Sequence, residues 1–325
     1  MAAEQILFIR VTFVKQRFRL NEVDRVALIL NLFFALMHLV FAGRGDNLLI
    51  AAGFVTANAV VLGFAALDAR GRIVRGGVLH FLRTFYVQLF YTAYFMRVIA
   101  LSQMVWGGAS LDAFFYRLEE AIFGVQPAVL LPETFGHLLF LNELIYFAYF
   151  AFYLLLCAPS WLLFLQRRYA QAQRCLFVIT ASFAVLYLWY LIFPVHGPKY
   201  FIPELYARWY SDLDGYLFAG LMRWIFADAN LAGAAVPSSH VAVSLIALIL
   251  HARYLPRTLW VVVPLTLLLW VSTVYLYAHY VVDVLLGWAV VPPLFWFSTV
   301  LFRRVNRRVT GRAVDSVSAG HTVCD

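Results

Sequence analysis

Two histidines stand where imidazole chemistry is the natural explanation. His240 ends the phrase Pro237-Ser238-Ser239-His240 at the start of one apolar stretch, and His279 opens another, with Asp283 four residues on. On a helix, positions i and i+4 share a face. The Asp283 carboxylate can therefore hold one ring nitrogen of His279 protonated and leave the other free to attack. His240 can protonate a departing alkoxide. Pro237 suits a first helical turn, where its missing N–H costs nothing. The free amides of that turn, with the Ser238 and Ser239 hydroxyls, make an anion site. A transferring phosphoryl group also needs fixed positive charge. Lys199 is the first candidate and Arg208 the second, with His196 in the same loop. Together these groups specify phosphoryl transfer through a phosphohistidine. Singly, each has a plainer reading: a histidine as an interfacial or capping residue, an i, i+4 His–Asp pair as structure, Pro-Ser-Ser as an ordinary helix start. Ionisable groups within apolar spans are costly, so their joint occurrence favours function.

The elements that carry these residues read as membrane spans. Of 325 residues, 64% are hydrophobic and 13% charged, with mean hydropathy +0.81; soluble domains carry about 25% charged residues. Eight apolar runs approach the roughly 20 residues that cross a bilayer: 26–42, 48–67, 84–104, 136–158, 175–193, 238–252, 258–277 and 280–301. The predicted fold is an all-α polytopic integral membrane helix bundle of about 8 transmembrane helices. Most of the 25 Lys and Arg fall in alternate loops: before the first span, then Arg70 to Arg75, Arg167 to Arg174, Arg253 and Arg257, and Arg303 to Arg312. That bias is the positive-inside pattern. It predicts an integral membrane protein (cell membrane, or inner membrane in a bacterium) with cytoplasmic N- and C-termini. It also accounts for the net charge of +8 without a nucleic-acid partner. His196, Lys199, Ser238, Ser239, His240, His279 and Asp283 then meet on the outer face.

The chain divides into a cytoplasmic or interfacial N-terminus over 1–25, with an interfacial helix over 5–20, accessory spans without a motif over 26–104, a catalytic membrane domain over 105–302, and a basic, disordered cytoplasmic tail over 303–325. The amphipathic stretch within 105–135 is expected to lie on the membrane surface. Cys157, Cys175 and Cys324 form no disulfide framework, and no Cys/His spacing suggests a metal. Arg97 and Glu143 are read as paired within the bundle or near an interface, His38, His80, His137 and His251 as having no catalytic role, and the Tyr146, Tyr149, Tyr153 stripe as core packing.

At the two histidine phrases the chain resembles the type 2 phosphatidic acid phosphatase superfamily of membrane lipid phosphatases and phosphotransferases. Pro237 to His240 matches its P-S-[GLS]-H-like motif. Ser272, the five residues Val274 to Ala278, His279 and Asp283 match its S-R-x5-H-x3-D motif, with Thr273 in place of the arginine. The family's K-x6-R-P motif is absent; Pro194 to Lys199 occupies its place. Tyr275, Leu276, His279, Tyr280, Asp283 and Gly287 are similar to a phrase of the inositol phosphorylceramide synthase-like branch. The resemblance covers roughly residues 110–295. It implies His279 as nucleophile, Asp283 as its orienting partner, His240 as acid and Lys199 as phosphate clamp. It also implies metal-independent chemistry with no cofactor, a membrane lipid phosphate substrate and, for transfer, a lipid or polyol alcohol as acceptor. Water or alcohol as acceptor stays open, as does the oligomeric state. The rival from another class is a lipid-binding or transport protein with a buried charge pathway, for which no inverted repeat is evident.

Overall fold

The computed structural model describes residues 20–226 and 232–318, with the side chains of 20–226 and 232–306. Among these all regular structure is helical. The expected interfacial helix over 5–20 and Cys324 lie outside the described residues.

Among the described residues six segments are long and apolar enough to cross a membrane: α1 (Glu22–Val40), α2 (Asn47–Ala69), α6 (Leu139–Leu165), α7 (Tyr169–Ile192), Pro256–Tyr275 and Val281–Asn306. Of the eight runs expected, two differ in kind. Helix α3 (Val78–Trp106) has 29 residues but carries Arg83, Arg97 and three buried tyrosines. Helix α11 (Ser239–Tyr254) has 16 residues, about 24 Å at 1.5 Å per residue, which is short of the roughly 30 Å hydrocarbon core. The region 105–135 forms two short helices, α4 (Asp112–Phe123) and α5 (Pro127–Phe135), and the long loop forms α8 (Pro198–Phe201), α9 (Pro203–Ser211) and α10 (Leu217–Phe226). The last two spans are α12 (Leu259–Tyr275) and the pair α13 (Val281–Ala289) and α14 (Val291–Ser318). The tail expected to be disordered from 303 instead continues α14 as far as Ser318. No proline follows Pro293, and arginine is a good helix former.

Local chemistry fixes where these helices begin. Asn21 caps α1 and shares a reciprocal capping box with Asp24. Asp24 also receives Arg83 at 2.6 Å and the Tyr86 hydroxyl at 2.8 Å, tying α1 to α3. Ser238 caps α11, accepting from the Val241 amide. Pro237 therefore precedes the N-cap rather than entering the first turn. The bundle core joins α6, α7, α11 and α12, with α13 laid on α11. That last approach requires Gly287, where a Cβ would come within 2.9 Å of Val241 Cβ and 3.1 Å of the Ser238 carbonyl.

Candidate active site

The turn from Leu276 to Tyr280, between α12 and α13, carries His279. Its backbone is anchored from behind, since the Ala278 and His279 amides both donate to the Thr273 carbonyl at 3.0 Å. The His279 ring lies between two partners. Its Nδ1 is 3.4 Å from Asp283 Oδ2, and its Nε2 is 3.3 Å from His240 Nδ1. Asp283 is fully buried, accepts from the Tyr280 amide at 2.9 Å, and through its own carbonyl accepts from the Ser238 amide at 3.1 Å. The carboxyl that faces His279 thus belongs to a residue that also ties down the start of α11, and α11 carries His240. Burial pushes the His279 imidazole down to about 4, which keeps one ring nitrogen unprotonated at neutral pH.

The loop before α8 is pressed against the same turn. The Lys199 amide donates to the Tyr277 carbonyl at 2.9 Å. Gly197 has φ +90°, and a Cβ there would sit 2.7 Å from the Ala278 carbonyl, so only glycine permits the approach. Asp112, on α4, holds this loop from the other side. Its carboxyl is fully buried and accepts from the His196 amide at 2.7 Å and the Gly197 amide at 2.8 Å, with the Tyr280 hydroxyl at 3.4 Å. Glu119, seven residues on, accepts from the Val281 amide at the start of α13. Burial raises its carboxyl to about 7.

A cavity opens over these groups. Its polar end is formed by His196, Lys199, Ser239, His240 and His279. Lys199 is largely buried, and its Nζ lies 3.3 Å from the centre of the Trp209 ring among Tyr200, Tyr206 and Tyr210. Burial lowers its ammonium to about 7. Tyr149 and Phe152 flank the His240 ring at 4.8 and 4.4 Å. Among the described residues no group of three or more His, Cys, Asp or Glu could hold a metal ion.

Several sequence expectations change here. Ser238 does not line the cavity, because its hydroxyl is spent on the α11 cap; Ser239 remains. Arg208 does not line it either. Helix α9 buries Leu205 and Trp209 and turns Arg208 outward, where it pairs with Glu133 and Asp212, each at 2.9 Å. Two members of the tyrosine stripe, Tyr149 and Tyr153, line the cavity, and only Tyr146 is simple core, against Trp209. Glu143 accepts from the Tyr216, Phe218 and Ala219 amides and anchors the start of α10. Thr273, at the motif-arginine position, is fully buried and bonds the Trp270 carbonyl. His38 and His251 bond Asn47 and Thr258 respectively, and neither touches the cavity.

The comparison with known proteins points to the same segment. A model of the PAP2 superfamily matches residues 114–297, more than half of the chain. Nothing matches among curated proteins or among solved structures. The matched stretch begins on α4 and ends on α14, and it contains both histidine phrases, the loop that bears Lys199 and every contact that joins them except those of Asp112. By the extent of that match, this chain belongs to the PAP2 superfamily.

Proposed function

We propose that the protein is a membrane lipid-phosphate phosphatase or phosphotransferase acting through a phosphohistidine on His279. Superfamily membership suggests a phosphatase or phosphotransferase. The observation that carries the finer reading is the line Asp283–His279–His240 at 3.4 and 3.3 Å, ending in a cavity with a basic polar end. His279 Nε2 attacks phosphorus as the bond from phosphorus to the leaving oxygen breaks. The leaving oxygen takes a proton from His240, whose imidazolium form is favoured by the negative charge of the bound phosphate. Asp283 holds the Nδ1 proton of His279 and balances the charge that the ring acquires. An acceptor O–H then attacks, the P–N bond breaks, and His240 recovers its proton. Ser239 and Lys199 serve the phosphate oxygens, with His196 beside them. Water as acceptor gives hydrolysis; a lipid or polyol alcohol gives headgroup transfer, the outcome to which the phrase from Tyr275 to Gly287 is similar.

In this reading α3 and α11 complete eight spans, both termini are cytoplasmic and the cavity faces outward, as the basic loops imply. A cysteine replacing the exposed Tyr216 is then labelled by an impermeant maleimide in intact cells; labelling only after lysis refutes the orientation. The chemistry is tested with purified protein in lipid nanodiscs, using a lipid phosphate labelled with ³²P, with and without alcohol acceptors. Acid-labile label on the wild-type protein, lost in His279→Ala, is expected. Equal turnover by His279→Ala sinks the mechanism.

A further inference from the structure

Residues from outside the matched segment help to form the cavity. Thr92, Phe95 and Met96 of α3 make one of its walls, facing Tyr149 and Tyr153 of α6. This wall is fixed to the catalytic part of the chain at both ends. Gln103 donates to the Ala232 carbonyl at 2.8 Å, and Gly233 lies so close to Ile99 that a Cβ would come within 3.2 Å of it. These contacts hold the segment that leads into Ser238 and His240. At the other end the Trp161 indole donates to Gln88 at 2.8 Å, bridging α6 and α3.

Between those two anchors the cavity reaches the outside of the bundle. Thr92 and Tyr153 line it, yet both are exposed on the protein surface. Thr92 lies at the middle of the 29-residue α3, at the depth of lipid tails rather than of headgroups if that helix spans the bilayer. An opening there, between two long helices and lined by Phe95, Met96 and tyrosine rings, admits hydrocarbon and disfavours a soluble phosphate. Of the polar groups that line the same cavity, Lys199, Ser239 and His279 are buried.

We propose that the α3 wall is the hydrocarbon-chain subsite for the lipid whose phosphate sits at His279, entered sideways from the bilayer between α3 and α6. This inference rests on the phosphohistidine reading for the position of the phosphate. It assigns selection for a membrane lipid to the accessory helices, outside the catalytic motifs.

The test is photolabelling in nanodiscs with a phosphatidate that carries a diazirine on one acyl chain, the labelled residues being mapped by mass spectrometry. Label is expected on Phe95, Met96 or Tyr153, suppressed by excess unlabelled phosphatidate and unaffected by excess diacylglycerol. It is expected equally in His279→Ala, because the subsite does not depend on turnover. Met96→Trp, which fills the wall without touching the histidines, is expected to weaken phosphatidate competition about tenfold, as for roughly two methylene groups denied burial. Label confined to the outer surfaces of the helices, or label that diacylglycerol suppresses equally, overturns the inference, as does Met96→Trp competing like wild type. The chemistry fails separately, by turnover that survives His279→Ala.

Discussion

Asp112 is the residue whose replacement separates local geometry from reaction chemistry. It lies ahead of the matched segment, and its carboxyl accepts two backbone amides, those of His196 and Gly197. Both bonds are under 3 Å, and the carboxyl is fully buried. In Asp112→Ala both amides lose their acceptor. A buried group left unsatisfied costs about 1–3 kcal/mol, so the pair represents about 2–6 kcal/mol of local stability. Asp112→Asn keeps one carbonyl oxygen and loses about half of that. The Lys199 amide donates to the Tyr277 carbonyl, and Gly197 lies so close to the Ala278 carbonyl that a Cβ would come within 2.7 Å of it, so loosening this loop is expected to release Lys199 and the turn that carries His279 together.

Amide hydrogen exchange across residues 195–200, followed by mass spectrometry in nanodiscs, reads the effect without assuming any substrate. A local opening made easier by 2 kcal/mol speeds exchange by about thirtyfold. The expected order of protection is wild type, then Asp112→Asn, then Asp112→Ala, with phosphoryl turnover falling in the same order. Exchange in Asp112→Ala within about twofold of wild type, in protein that accumulates normally, would refute the argument.

Lys199 supplies a pH signature. Burial lowers its ammonium to about 7, so the free enzyme loses this charge as pH rises through about 7. kcat/KM, which reports free-enzyme groups, is expected to fall over that window, and Lys199→Arg to move the limb upward, since a guanidinium stays charged; a limb that does not move assigns the titration elsewhere. His240→Ala is expected to cost about 10²–10⁴-fold on an alkyl lipid phosphate, the usual range for a lost general acid, and much less on a nitrophenyl phosphate, whose leaving group needs no proton. Equal losses on both substrates would remove His240 from the acid role. Thr273→Arg is expected to lower accumulation in membranes rather than raise turnover, because the position is fully buried and its hydroxyl bonds the Trp270 carbonyl; quantitative immunoblotting of membranes beside turnover decides it.

The groups proposed to react were legible because their geometry is local. A His-x3-Asp spacing at a helix start and a Pro-Ser-Ser-His phrase need no knowledge of the rest of the fold; His279 stands in the turn before α13 rather than on the helix expected, yet it lies within hydrogen-bonding reach of both His240 and Asp283. The supports were not legible, because they act over distance. Asp112 reaches across 84 and 85 positions to the His196 and Gly197 amides, and Glu119 across 162 to Val281. On an amphipathic helix two acids read as a solvated face. Their seven-residue spacing, which puts them with Phe115 on one side of α4, was the available signal that this face is covered. The tyrosine stripe failed for a related reason. Core and cavity lining are both apolar faces at helical spacing, and only the residues opposite distinguish them: Tyr146 meets Trp209, whereas Tyr149 and Tyr153 meet open space shared with α3.

The same distinction bears on the missing motif arginine. At position 273 the chain faces its own core, and the Thr273 carbonyl holds the His279 turn from behind. The Thr273 hydroxyl is spent on the Trp270 carbonyl, and the residue does not line the cavity. The positive charge near the cavity instead comes from Lys199, on a loop fastened by Asp112 and made possible by Gly197. Lys199 is neutralised by burial at about pH 7, whereas an arginine would stay charged throughout. The substitution of Thr for Arg in the motif therefore makes the site's charge depend on pH and on the loop that carries Lys199, and both dependences are measurable in Lys199→Arg and Asp112→Ala.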